Sequence, residues 1–174
     1  EHWGVEPDIM VMAKGIANGA PVGATITRPD IAISWKAKTF STFGGNPVST
    51  VAACATLEVM VEEDVPSRAE TRGAQLARGL GELEDHYNWI GEVRGMGLMW
   101  ALEIVEDPHT KEPAPQMAKA FLEAAKEEGL LIGIGGLQGH VLRIGPSLLI
   151  TEAEVAEGLD RFRRACERVD HVGS

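Results

Sequence analysis

Lys14 has the strongest chemical setting of any residue in this chain. It comes just after a short apolar run, Ile9–Met12, and Gly15 follows it directly. The run is long enough for a buried strand and too short for a core helix. At the end of a buried strand, a lysine ammonium loses hydration unless another group takes up its charge. One resolution is covalent. A desolvated amine titrates lower, becomes nucleophilic and condenses with an aldehyde to a Schiff base. The plain alternative is a lysine that leads into a solvated turn, as most lysines do. The stretch MAKGIANGAPVGA crowds three glycines and a proline around Lys14. Glycine lets the backbone take positive φ and lets another group approach closely.

Two further stretches could do chemistry. Ser41-Thr42-Phe43-Gly44-Gly45-Asn46-Pro47 offers two hydroxyls, two glycines, an Asn helix cap and Pro at a first helical position. Hydroxyls and free amides at a helix start are suited to a phosphate. Arg143 lies between Leu142 and Ile144 in an apolar strand. Its guanidinium requires an anion, and either a ligand carboxylate or a structural carboxylate would serve. The glycines of Gly133–Gly139 have the wrong spacing for a dinucleotide fingerprint and open no helix, so they read as a mobile loop near a site. The five histidines have no metal-ligand spacing.

Taken together, Glu1-His2-Trp3-Gly4-Val5-Glu6-Pro7-Asp8, Met12-Ala13-Lys14-Gly15 and Thr42-Phe43-Gly44-Gly45-Asn46-Pro47 resemble the class III pyridoxal-phosphate aminotransferases. The likeness is greatest to their alanine–glyoxylate and omega-amino-acid branch, and it runs through essentially the whole chain. It implies a fold of class α/β: the C-terminal part of a fold-type-I transferase, with the end of a large parallel-sheet domain and an α+β small domain. It implies that Lys14 carries pyridoxal 5'-phosphate as a Schiff base. It implies that Thr42 reaches the cofactor phosphate from the neighbouring subunit of a homodimer, and that Arg143 binds the substrate carboxylate. The family has a proline pair after that arginine, whereas this chain has Pro146-Ser147. By the same resemblance, the acid for the pyridine nitrogen, the ring-stacking aromatic and the main phosphate-binding pair belong to a portion preceding Glu1. Asp8 does not take the pyridine role, because it lies past the family's acid. The chain therefore reads as part of a longer enzyme, inactive by itself. A mutase or decarboxylase on the same scaffold, or a non-catalytic fragment serving as an interaction module, are the alternatives.

The elements needed to position these residues follow from periodicity. Residues 1–63 read as the end of the large domain: a strand at Ile9–Met12, a second at Val22–Thr27, a breaker at Arg28-Pro29-Asp30, a short helix at Ile31–Trp35 and a functional loop over residues 36–45. Asn46-Pro47 opens a linking helix to about Glu63, with Val48, Val51, Ala52, Ala55 and Val59 on its core face. Residues 64–174 read as the small domain. Its first helix is capped by Ser67 and Glu70 and carries a stripe of Ala69, Gly73, Leu76, Leu80 and Leu83. Strands Ile90–Arg94 and Gly97–Val105 flank a turn at Gly95-Met96-Gly97. A polar loop precedes a helix from about Gln116 to Glu128, with Met117, Ala120, Phe121 and Ala124 inward, ended by Gly129. Strands Leu130–Ile132 and Val141–Ile144 come next. A capping box at Thr151 and Glu154 starts the last helix, with Val155, Leu159, Phe162 and Cys166 inward.

Composition bounds the partners. The chain has 174 residues, 44% hydrophobic and 24% charged, which is globular. A net charge of −10 argues against nucleic acid or an anionic membrane as partner. Two distant cysteines fit a reducing compartment, and a cytoplasmic location is expected.

Overall fold

The computed structural model describes residues 2–172. Glu1 of the opening motif and the side chain of His171 lie outside the described residues. The chain divides into two units, Glu1–Asp64 and Val65–Ser174.

In the first unit, β1 (Ile9–Met12) and β2 (Ala24–Thr27) form an antiparallel ribbon, with Ile9 opposite Thr27 and Met12 opposite Ala24. The second strand starts two residues later than its composition suggests. The expected burial of β1 is absent: Ile9 is 54% and Val11 75% exposed. A two-stranded ribbon satisfies backbone groups along one edge but gives neither face a covering layer. Pro29 does not act as a breaker. It takes the first position of a one-turn helix, α1 (Pro29–Ala32), where its fixed φ is already helical and its missing N–H costs nothing.

The longer helix α2 (Pro47–Glu62) starts as its sequence requires. Asn46 caps it, and its side-chain oxygen accepts from the Ser49 N–H at 3.0 Å. The buried side, however, is not the valine face. Val48, Val51 and Val59 are exposed, while Ser49 is buried and Ala52, Ala53 and Thr56 are half-buried. Small residues on that side let the helix approach the short turn at Lys14–Ala17, whose Ala17 is buried.

The second unit is an antiparallel sheet in the order β3-β4-β6-β5 with helices on one face. Its strands are β3 (Ile90–Met96), β4 (Met99–Ile104), β5 (Gly133–Gly135) and β6 (Val141–Ile144). The hairpin turn sits at Gly97-Leu98, two residues beyond its expected place, because Gly97 supplies the positive φ of 54°. The Gly133–Gly139 segment is not wholly a loop. Its first three residues form the edge strand β5, while Leu130–Ile132, expected as the strand, is irregular chain leading into it, because the pairing with β6 begins only at Gly133.

Helix α3 (Val65–His86) begins before Ser67, so the expected capping box lies inside its first turn. Gly73, Leu76, Leu80 and Leu83 are buried as a stripe. In α4 (Pro115–Glu127), Ala118, Phe121 and Ala125 are inward, while Ala120 faces solvent. In α5 (Glu152–Val172), the box does form: the Thr151 N–H donates to Glu154 at 2.8 Å, and the Glu154 N–H to the Thr151 hydroxyl at 3.2 Å. Phe121 of α4 and Phe162 of α5 stack at 4.7 Å over Leu102 and Leu142, which are fully buried. Arginines of α5 clamp the end of α4. Arg161 donates to the Glu128 carbonyl at 2.8 Å, and Arg164 and Arg168 grip the Glu128 carboxylate.

Two helical glycines should respond oppositely to alanine. A Cβ on Gly73 would lie 2.1 Å from the Gly97 carbonyl oxygen, a backbone atom that cannot yield. Gly73→Ala should destabilise this unit by about 2–3 kcal/mol in urea unfolding. Gly158 has nothing within 4 Å of such a Cβ, so Gly158→Ala should stabilise by about 0.5–1 kcal/mol. The Glu128 clamp sets an acid limb. Hydrogen bonds first from Arg164 and then from Arg168 hold its carboxyl below the usual value. Its contribution is therefore complete above the unfolded value of about 4.3 and is lost as pH falls through the lower folded one. Between pH 6 and pH 3, the parent should lose more stability than Glu128→Gln.

Candidate functional site

Lys14 stands where β1 gives way to the glycine-rich loop. Ala13 is fully extended, and Lys14 then turns into the left-handed region at φ 56° to start a short 3-10 turn. A side chain bearing a Cβ holds that conformation at a cost of about 1–2 kcal/mol. Asn18, also left-handed at φ 46°, closes the turn. Lys14, Gly15, Asn18, Gly19, Pro21 and Val22 border an open pocket of about 600 Å³. No carboxylate lines it, and among the described residues Lys14 makes no ion pair or side-chain hydrogen bond. Lys14 is exposed, so the desolvation expected from a buried strand is not present in this chain. What the backbone supplies instead is an uncommitted amine held by a strained turn, with open space beside Gly15 and Gly19.

The loop before α2 makes a second pocket of about 360 Å³, bordered by Pro21, Val22, Ser41, Gly44, Asn46 and Thr50. Pro21 and Val22 border both pockets. Thr42 lines neither and is exposed, and among the described residues its hydroxyl makes no hydrogen bond. The loop is held by the Asn46 side-chain amide, which donates to the Phe43 carbonyl at 2.9 Å. The Asn46 cap takes the Ser49 amide, so that donor is not open to an anion. Lys14 and Thr42 therefore belong to one unit, and Thr42 does not border the Lys14 pocket.

Arg143 belongs to the second unit. It lies opposite Ala101 on one side and Gly133 on the other. Directly opposite strand residues share a face, so Arg94, Ala101 and Arg143 form a row on the sheet's outer side. The two arginines of that row differ. Arg94 pairs with Glu103 at 2.7 Å and Glu92 at 2.6 Å, and hydrogen bonding to Glu103 pushes its pKa up. Arg143 makes no ion pair among the described residues and is exposed. Strand alternation in the sequence does place 94 and 143 outward, but which of them finds a carboxylate depends on the β3–β4 register. The Ser147 that departs from a proline pair has its own use: its hydroxyl accepts from the Leu149 N–H at 3.2 Å, anchoring the turn after Arg143.

Other candidates do not assemble into a site. No group of three or more His, Cys, Asp or Glu among the described residues could hold a metal ion. Cys54 is exposed and Cys166 buried, both unbridged, and burial pushes the Cys166 thiol up. No described helix is long and apolar enough to cross a membrane.

Comparison with known proteins places the chain in a family. The family model for class III aminotransferases matches residues 1–166. A leucine/methionine racemase of Thermococcus litoralis is 41% identical over 98% of this chain and 38% of its own length. An alanine–glyoxylate aminotransferase 2 homologue of Arabidopsis thaliana is 44% identical over 86% of this chain and 33% of its own. The structure of an amine transaminase from an uncultivated Pseudomonas species, in a PLP-bound form, superposes with a TM-score of 0.88 at 33% identity, covering 97% of this chain and 40% of that one. The chain thus spans about 33–40% of the length of these proteins. With the match extending over nearly all of its residues, the chain belongs to the class III aminotransferase family.

Proposed function

We propose that the protein carrying this chain is a pyridoxal-phosphate-dependent aminotransferase. It would move an amino group from alanine, β-alanine or another omega-amino acid to an oxo acid such as glyoxylate or pyruvate. The observation that carries the reading is Lys14: an unpaired amine on a left-handed residue, opening onto a pocket free of carboxylates, in a chain of this family. The similarity to the alanine–glyoxylate aminotransferase 2 homologue of Arabidopsis thaliana supports the substrate class.

The residues present fit the cofactor in part. Lys14 offers the amine for its aldehyde, and the glycine-rich border leaves room for a flat ring. Pyridoxal phosphate, when bound, supplies the electron sink for charge developing at the substrate carbon. Lys14 Nζ would act as the base that takes the proton from that carbon and then as the acid that delivers it in the 1,3-shift. Thr42 would donate its hydroxyl to the phosphate held by a second copy of the chain. Its position off the Lys14 pocket supports that arrangement and, with it, a homodimer whose sites lie at the interface. Arg143 would grip the substrate carboxylate in a fork of two parallel hydrogen bonds. The domain assignment, a large cofactor domain ending near residue 63 and a small domain after it, and a cytoplasmic location are part of the same reading. The unbridged cysteines fit a reducing compartment, of which the cytoplasm is one.

The racemase similarity favours a second reading, in which the proton lost to Lys14 is replaced on the opposite face of the same carbon and no amino group leaves. Assay of the active protein separates the two. Transfer requires an oxo acid and yields a new amino acid, whereas racemisation proceeds without one. Under either reading, Lys14→Ala should abolish turnover while leaving the unfolding midpoint unchanged. Borohydride should fix the cofactor to the Lys14 peptide, and labelling of another lysine would refute the assignment. Arg143→Ala should raise KM for carboxylate donors by the equivalent of roughly 2–3 kcal/mol, with kcat little changed. An unaltered KM would make Arg143 structural.

A further inference from the structure

The Arg143 side chain has a seat, and the seat is the missing side chain of Gly135. The three atoms nearest to an ideal Cβ built on Gly135 all belong to Arg143: Cδ at 2.7 Å, Cγ at 3.5 Å and Nε at 3.8 Å. The register explains it. Gly135 pairs with Val141 and Gly133 with Arg143 across β5 and β6, so Gly135 is the diagonal neighbour of Arg143 on the outer face. The aliphatic stem of Arg143 lies over the bare backbone of the edge strand.

The other crowded glycines of this sheet are different. At Gly95 a Cβ would strike the Met99 carbonyl at 2.4 Å and the Trp100 ring at 2.4 Å. At Gly91 it would strike the buried Val105 side chain at 2.7 Å. Gly136 combines a Val141 contact at 2.7 Å with φ 80°. Those glycines are required by the fold. Gly135 has no positive φ, and the atoms nearest to its Cβ position belong to an exposed side chain that can swing away. Gly133 is looser still, with its nearest contact, the Arg143 Cβ, at 3.8 Å.

We infer that Gly135 is a positioning residue for carboxylate recognition, holding the Arg143 guanidinium in direction by leaving room for its stem. The inference rests on Arg143 as the carboxylate site. Bidentate pairing depends on the plane and direction of the guanidinium, so a displaced stem loses affinity even though the charge remains.

The experiment uses the active protein and four variants: Gly135→Ala, Gly133→Ala, Arg143→Ala and the Gly135→Ala/Arg143→Ala double. Propionate, an unreactive monocarboxylate, is titrated calorimetrically. KM and kcat are measured with an amino acid donor, and the single half-reaction with a primary amine lacking a carboxylate. Gly135→Ala should weaken propionate and raise the amino acid KM about 10-fold. It should leave kcat, the half-reaction with the plain amine and the melting temperature unchanged. Gly133→Ala should match the parent. In the Arg143→Ala background, Gly135→Ala should add nothing, because it acts through that arginine. If Arg143→Ala leaves propionate binding intact, the reading of Arg143 fails and takes the inference with it. If Arg143→Ala weakens binding and Gly135→Ala does not, the inference alone is overturned. A Gly135→Ala protein that fails to fold, or whose effect persists in the double variant, overturns it as well.

Discussion

The pairing register of β6 against β4 is the constraint on which the second unit depends. Leu142 opposite Leu102 lies on the covered face, and both are fully buried. Arg143 opposite Ala101 lies on the open face. Strand side chains alternate with a period of two, so a slip of one residue would turn Leu142 to water and drive a guanidinium into the core. The register is thus held by the cost of the alternative. The same alternation places Arg94 on the outer face, where Glu92 and Glu103 neutralise it and leave Arg143 as the unpaired cation of that row among the described residues.

The two units are stabilised differently. The second has a contiguous core in which three helices seal one sheet face, with Leu80, Phe121, Leu142 and Phe162 at its centre. The first is held mainly by backbone pairing and by short-range capping, and its described residues include only two buried ones, Ala17 and Ser49. Its apolar side chains, among them Val11, Trp35, Phe40 and Val48, lie exposed. The geometry at Lys14 is nevertheless well defined, because it depends on local dihedrals: an extended Ala13, a left-handed Lys14 and a left-handed Asn18. A strained local turn is a means of aiming a side chain that does not require a core around it.

Much of the fold could be read directly from the sequence. Asn46-Pro47 started α2, Gly129 ended α4 with φ 74°, and Thr151 with Glu154 opened α5, because caps are local chemistry between residues three or four apart. The stripes of α3 and α5 were legible because both helices bury one face against a core within their own unit. The candidate residues Lys14, Thr42 and Arg143 stood out by type and context. The faults in the reading have a common origin. The valine face of α2 and the apolar run of β1 were expected inside, yet hydrophobicity states what a surface favours and not whether a partner covers it. Gly133–Gly135 was expected in a loop, yet pairing with β6 makes it a strand.

The sequence by itself determined the family, most of the order of the elements, the caps of α2 and α5 and the residue types that could react, since these rest on short spacings and local backbone preference. Only the tertiary structure decided that Lys14 is left-handed and unpaired, that Thr42 lies off its pocket, and that Arg94 rather than Arg143 is claimed by carboxylates. It also decided that the stem of Arg143 lies over Gly135. The reason is physical: each of these facts concerns which groups occupy the space around a side chain. Residues far apart in the chain supply those groups, and the pairing of strands, not local preference, brings them together.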